Sequence, residues 1–283
     1  MATSIGEESK VQPQDAAKVF RKLGTCSRTF FYLLNREFEA HREAEERAAG
    51  PLSGGILQQG HHCGMLWGVS LATGAEAYRS CAHLSQAIAV SIEATRSLMQ
   101  SFEEEADTTL CRQITGCDFN SKLSYTKYLL SGKFLQCFKL AQSWAPKAVR
   151  TAKHALGNRP YNFEHAMSCA SEVVRKMGGS EEEMCMVAGF AGGLGLSGGG
   201  CGALSAAIWM NSLQYCRDNE KASGYNSTEG KELLKVFRNF SGGKMDCHEI
   251  SQRRFVNVSA HTDYLKLGGC EDLINTLSKS RKK

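Results

Sequence analysis

With 283 residues, 42% of them hydrophobic and 22% charged, the chain has the composition of a globular protein of one or two packed domains. A formal net charge of +5, with basic residues scattered except in the tail Ser278–Lys283, is too weak to indicate nucleic-acid binding. Twelve cysteines behind a polar start without an apolar leader place the chain, as an expectation, in the cytoplasm, where cysteine-rich patterns point to metal or redox chemistry before disulfides.

Residues 1–14 are polar and expected to be disordered. From Ala16 to Arg47 the apolar positions Val19, Phe20, Leu23, Phe30, Phe31, Leu33, Leu34 and Phe38 recur at helical spacing. A Gly-rich loop follows, with Gly54-Gly55 and then Gly60-His61-His62-Cys63-Gly64. Helical stretches are expected over Leu66–Ala72, Ala75–Ala106 and Tyr125–Leu156, with a polar break at Cys111–Cys117 and Pro146 as a break or helix start. Residues 157–161 read as a linker.

Beyond the linker the same order returns. A helix carries Cys169, an acidic helix start stands at Ser180–Glu183, and a Gly-rich run leads into Cys201-Gly202. Met184–Tyr215 holds no charged residue, but the glycines of its first half make a poor helix, so a buried segment is expected rather than a membrane span. A helix over Lys231–Phe240, a break at Cys247–Ile250 and a helix after Cys270 complete the chain. No alternating strand pattern is visible. The expectation is an all-α fold of two tandem, pseudo-twofold related helical domains, residues 15–156 and 162–283.

The two halves superimpose by sequence. Gly55 and Gly193 each stand eight residues before a Cys-Gly pair, at Cys63 and Cys201. Cys26, Cys63, Cys111 and Cys137 are spaced by 37, 48 and 26 residues; Cys169, Cys201, Cys247 and Cys270 are spaced by 32, 46 and 23. Cys81, Cys117, Cys185 and Cys216 fall outside this pattern and are expected to be buried packing. At these residues each half resembles the C-GCAxxG-C-C family of redox-active proteins, over roughly residues 24–140 and 165–278. Cys201-Gly202-Ala203-Leu204-Ser205-Ala206 departs from the motif only in its last position, and Cys63-Gly64-Met65-Leu66-Trp67-Gly68 at Ala. The same domain is similar to part of the split-Soret cytochromes, which implies an iron–sulfur site. No Cys-x-x-Cys-His occurs, so covalent haem is not expected.

Four thiolates from separate segments suit an iron–sulfur cluster, [2Fe–2S] preferred, and the expected ligands are the two quartets. Gly192, Gly193, Gly199, Gly200 and Gly202 would give the cluster room and backbone N–H groups. Zinc modules ordinarily use closer cysteine pairs. Two alternatives remain at this level. One is metal-free thiol–disulfide chemistry, with Cys63 and Cys201 as low-pKa attacking thiols, although no Cys-x-x-Cys pair occurs. The other is a helical scaffold subunit with structural cysteines or zinc. His61, His62 and His248 could supplement thiolates, but polar loop surface is the plainer reading, as it is for Arg112 as a counter-charge. The GxGxxG match at Gly193–Gly198 lacks a preceding strand and carries little weight. A redox partner protein is expected, a homo-oligomer is compatible, and neither nucleic acid nor membrane insertion is expected.

Overall fold

Gly24 takes φ 81° and its N–H closes the first helix on Phe20 O, so the continuous helix expected from Ala16 to Arg47 is in fact three. The computed structural model describes residues 15–157 and 165–279. The expected disordered start, residues 158–161 of the expected linker and the last residues of the basic tail lie outside the described residues. The first half forms α1 (Ala16–Leu23), α2 (Cys26–Glu37), α3 (Glu43–Ala48), α4 (Gly64–Ser80), α5 (Leu84–Ala106), α6 (Cys111–Thr115), α7 (Lys122–Leu130) and α8 (Phe134–Gly157). The second forms α9 (Cys169–Lys176), α10 (Glu181–Met186), α11 (Gly202–Asp218), α12 (Thr228–Ser241), α13 (Cys247–Ser251), α14 (Val258–Lys266) and α15 (Glu271–Ser278). Among the described residues there is no strand, only two isolated bridges, and the fold is all-α as expected.

Other boundaries follow local chemistry. Ser180 caps α10 with its hydroxyl while the Glu183 carboxylate accepts from the Ser180 N–H, which realises the acidic start read from the sequence. Pro146 lies inside α8 and is neither a break nor a start. The expected interruption at Thr73-Gly74 is absent because α4 runs through it. A Cβ on Gly74 would stand 2.1 Å from Cys185 O, so this glycine admits α10 instead of ending the helix. The breaks expected at Cys111 and Cys247 are the short helices α6 and α13. Among the described residues no helix is long and apolar enough to cross a membrane.

The halves are tandem in sequence but interlocked in space. Helix α2 packs on α4 as α9 packs on α11; then α10 of the second half lies on α4, and α3 of the first lies on α11. Helices α4 and α11 are therefore buried on nearly every side, and neither has an amphipathic stripe. A single apolar core containing Trp67, Trp144, Trp209, Phe102, Phe190 and Phe237 runs through both halves. Trp67 meets Phe190 edge to face at 4.8 Å across the junction. The buried Arg47 guanidinium, on α3, donates to Cys216 O and Asn219 O at the end of α11, satisfying carbonyls that the helix leaves open.

Candidate four-cysteine sites

Each site begins with a strained loop. Residues 54–58 and 192–196 are each five successive left-handed residues, among them Ile56 (φ 62°), Gln58 (φ 64°), Leu194 (φ 71°) and Leu196 (φ 63°). This conformation costs roughly 1–2 kcal/mol per non-glycine residue. Gly54-Gly55 and Gly192-Gly193 open both runs, where the cost is least. The loops are held alike: the Gly60 N–H donates to Gly54 O and the Gly198 N–H to Gly192 O, each at 2.9 Å. Ile56 and Leu194 are fully buried, which anchors the turns.

The loops deliver the second cysteine of each quartet to the third. Cys63 N–H donates to Thr109 O and Cys111 N–H to His61 O, both at 2.8 Å. In the second half Cys201 N–H donates to Met245 O at 2.9 Å and Cys247 N–H to Gly199 O at 2.6 Å. Cys63 and Cys201 then cap α4 and α11. The first cysteine comes from the start of α2 or α9. Cys26 Sγ lies 2.4 Å from where a Cβ on Gly64 would stand, so only glycine can follow Cys63 here. The fourth comes from α8 or from the residue before α15, and a tyrosine hydroxyl meets each: Tyr128 to Cys137 and Tyr264 to Cys270, both at 3.7 Å.

Each expected quartet is thus brought together, near enough for its thiols to feel one another's charge. Burial raises the Cys169 thiol, and the charges of Cys247, Cys270 and Cys201 raise it further. The Cys63 thiol is raised by its hydrogen bond to Cys26, then by burial and the charges of Cys26, Cys111 and Cys137. Burial also pushes Cys137 to about 11 and Cys247 to about 12, and raises Cys111, Cys201 and Cys270. All twelve cysteines are free thiols. Among the described residues, no three Cys, His, Asp or Glu side chains are disposed to hold one metal ion.

The expected low-pKa thiols at Cys63 and Cys201 are a misreading. Both are raised: Cys63 first by its hydrogen bond to Cys26 and then by burial, Cys201 by burial, which outweighs the Leu204 and Ala203 amides. The lowered thiol is Cys26: the Cys63 S–H donates to it, as do the Gly54 and Ser27 amides, with the Ser53 hydroxyl 3.5 Å away, against the opposing effect of burial. In the second half Ala191 occupies the place of Ser53 and supplies no hydroxyl.

The glycines of the second loop divide. The Gly192 N–H donates to Cys169, as Gly54 does to Cys26. At Gly193, Gly199, Gly200 and Gly202 the expected open room is filled by protein: a Cβ would meet Gly199 O at 2.5 Å, His62 Nε2 at 2.1 Å, Ile56 Cδ1 at 2.8 Å and Phe190 O at 1.9 Å, respectively. His61 and His62 are therefore no loop surface. They fill the space that Gly199 and Gly200 leave on the facing loop. His62 is buried, with Nδ1 3.0 Å from Thr109 Oγ1 and Nε2 3.0 Å from Ser197 Oγ, and burial lowers it to about 4. His61 Nδ1 lies 3.0 Å from Asp246 Oδ1. His248 Nδ1 sits 2.8 Å from Gly198 O, and Arg112 pairs with Asp118 at 3.4 Å.

Of the four cysteines outside the pattern, Cys117 is buried close enough to Cys111 for its charge to raise that thiol. It is a fifth thiol beside the first site. Cys185 feels Cys81 instead, and Cys216 is buried with its S–H toward Ala222 O at 3.8 Å.

The sequence matches the family described as "Putative redox-active protein (C_GCAxxG_C_C)" twice, over residues 25–151 and 164–281. The chain belongs to this family. Each matched C_GCAxxG_C_C segment holds one complete cysteine quartet, so the protein is a tandem duplication, and membership carries a redox role. Comparison with curated proteins and with solved structures returns no match. None of these findings bears on the likeness to split-Soret cytochromes.

The two tyrosines escaped the sequence reading, yet a signal for them exists. Cys111, Thr115, Phe119 and Tyr128 have the same spacing as Cys247, Ser251, Phe255 and Tyr264. Each member recurs in its role. Thr115 and Ser251 bond back to Cys111 O and Cys247 O at 2.7 Å, and Phe119 and Phe255 pack on Tyr128 and Tyr264.

Proposed function

We propose that the protein transfers electrons through a cysteine-ligated iron–sulfur centre in each half, of the [2Fe–2S] type. The observation that carries this reading is the convergence of both quartets on one repeated scaffold: loop, paired peptide, helix cap and tyrosine.

The residues present fit such a group. Each half offers four thiols, and amide donors already address sulfur: Gly54 and Ser27 at Cys26, Gly192 at Cys169, Leu204 and Ala203 at Cys201. Donors of this kind stabilise anionic sulfur and tune a centre's potential. A single zinc ion would draw its sulfurs to about 2.3 Å from the metal. Zinc modules ordinarily take closer cysteine pairs than these widely spaced quartets offer. Cys26, Cys63, Cys111 and Cys137 would hold one centre and Cys169, Cys201, Cys247 and Cys270 the other. When bound, such a centre accepts and returns single electrons. The chain's own contribution is to hold the sulfurs, to donate hydrogen bonds to them, and to exclude water by burying five of the eight. A partner protein supplies and removes the electrons in this reading.

Anaerobic purification followed by iron and sulfide analysis and a visible spectrum tests it. About four irons and four sulfides per chain are expected, falling by about half in Cys201→Ser. A colourless, iron-free protein purified anaerobically overturns it.

The Cys26–Cys63 hydrogen bond favours a second reading, a dithiol couple in the first half. The Cys26 thiolate and the Cys63 thiol would give up two electrons and one proton to an incoming disulfide and form an S–S bond, releasing that disulfide as a thiol and a thiolate. Oxidation by a small disulfide with thiol counting tests this: two thiols lost at Cys26 and Cys63 support it, and twelve remaining thiols refute it.

A further inference from the structure

Where the halves meet, a depression of about 420 Å³ is walled by Gln59, Gly60, His61, Arg112, Arg238 and Asp246. Its walls run directly into the cysteine segments. His61 lies two residues before Cys63, Arg112 follows Cys111, and Asp246 precedes Cys247. The depression therefore borders both sites.

Two guanidinium groups from opposite halves converge on it, Arg112 from α6 and Arg238 from α12. The two residues that follow the left-handed run, Gln59 and Gly60, position both. The Arg112 side chain lies where a Cβ on Gly60 would be, 2.9 Å from its Cβ and Nε. Arg238 Nη2 donates to Gln59 Oε1 at 2.5 Å, an uncharged partner. Two carboxylates stand near them, each already engaged. Asp118 meets Arg112 at 3.4 Å and accepts from the Asn120 N–H; Asp246 is engaged by His61; and among the described residues no carboxylate pairs with Arg238. Like charges gathered at one wall repel, and a bound anion relieves that repulsion. Guanidinium forks suit carboxylate and phosphate oxygens.

The arrangement is not a requirement of the fold. At counterpart positions in the other half, Gln59 is replaced by Ser197 and Arg112 by His248; Arg238 is replaced by Glu103, since the left-handed caps Gly242 and Asp107 close their helices on Arg238 O and Glu103 O. The repeated scaffold stands there without the paired arginines.

We propose that this depression binds a small molecule bearing a carboxylate or phosphate group, placed against the segments of Cys63, Cys111 and Cys247. Its negative charge would lie beside both quartets, where it either presents a substrate to them or lowers their affinity for electrons. The site is independent of what the cysteines hold.

Titration calorimetry on the full chain with inorganic phosphate and, separately, with succinate tests it. One saturable site is expected for at least one probe. Binding should weaken about tenfold or more in both Arg238→Gln and Arg112→Gln, since each removes a charge-assisted hydrogen bond. Both side chains are exposed, so the thermal midpoints of the variants should match the parent and exclude misfolding as the cause. Stronger binding of phosphate or of succinate identifies which oxyanion the site favours. No saturable binding of either probe, or binding that either variant leaves unchanged, overturns the proposal.

Discussion

Gly199→Ala should be among the most disruptive single methyl additions in this chain, and His62→Ala should relieve it. The added Cβ would stand 2.1 Å from His62 Nε2 and 2.8 Å from its Cε1. His62 cannot turn away freely, because it is buried and bonded on both ring nitrogens, to Thr109 and Ser197. Overpacking of a closed core costs typically 1–3 kcal/mol. Displacing the ring also forfeits two hydrogen bonds at about 1 kcal/mol each. Gly199→Ala should therefore lose about 3–5 kcal/mol. His62→Ala alone should lose about 2–4 kcal/mol through its cavity and the same two bonds. In the double variant the clash is gone and the two bonds are lost only once, so the losses should fall short of their sum by about 3–5 kcal/mol. Urea unfolding of the four chains measures this; the core is continuous through both halves, so one transition is expected. If Gly199→Ala is as stable as the parent, or the two losses simply add, the facing-loop account is wrong.

Two further outcomes follow from the same geometry. Tyr264→Phe removes only the donor to Cys270 and should cost about 1 kcal/mol or less of stability. In metal-free protein it should slow alkylation of Cys270 roughly fivefold while leaving Cys247 unchanged, because a donor worth about 1 kcal/mol to the thiolate is lost; an unchanged Cys270 rate refutes the donor role. Burial lowers His261 to about 4, so the unfolded chain takes up a proton near pH 6.5 that the folded chain refuses until about pH 4. Stability should fall as pH drops through that window, by about 3 kcal/mol from this group, and level off below it; His261→Gln should flatten the slope in urea unfolding between pH 7 and 4.

What was legible in the sequence was local or periodic. The Ser180 capping box, the loop glycines before Cys63 and Cys201, and the two quartets are patterns a single chain displays. What was not legible arises where residues far apart in sequence meet. Gly74 looks like a helix breaker until α10 is laid against it, and His61-His62 looks like a polar loop until Gly199-Gly200 faces it. From the helix-cap position alone, the low-pKa thiol falls on Cys63 and Cys201. The deciding donor at Cys26 is Cys63 itself, followed by the Gly54 amide, both carried there by a left-handed turn that periodicity does not describe. Tyr128 and Tyr264 were readable in principle, since the spacing from the third cysteine repeats, but only once the repeat was extended beyond its cysteines and glycines.

Joining two halves in one chain also permits what two identical halves could not have. Across a true twofold axis each loop would face its own copy, and four imidazoles would crowd the junction or four glycines would leave it hollow. Here His61 and His62 on one loop occupy the space left by Gly199 and Gly200 on the other. The same freedom makes the two sites electrostatically unequal. Beside the first, Cys117 adds a fifth thiol whose charge opposes ionisation of Cys111. At the counterpart position stands Arg253, its guanidinium 5.4 Å from the ring centre of Tyr264, the residue that bonds Cys270. Arg253 favours the electron-rich state of the second centre; at the first, Arg112 beside Cys111 is offset by Asp118, and Cys117 opposes added negative charge. On the iron–sulfur reading, the second site should hold its electron at the higher potential. A redox titration followed by electron paramagnetic resonance should then show two steps. Arg253→Gln should lower the upper step and draw the two together. A single step, or an upper step that Arg253→Gln leaves in place, would mean that the asymmetry at the junction does not reach the thiols.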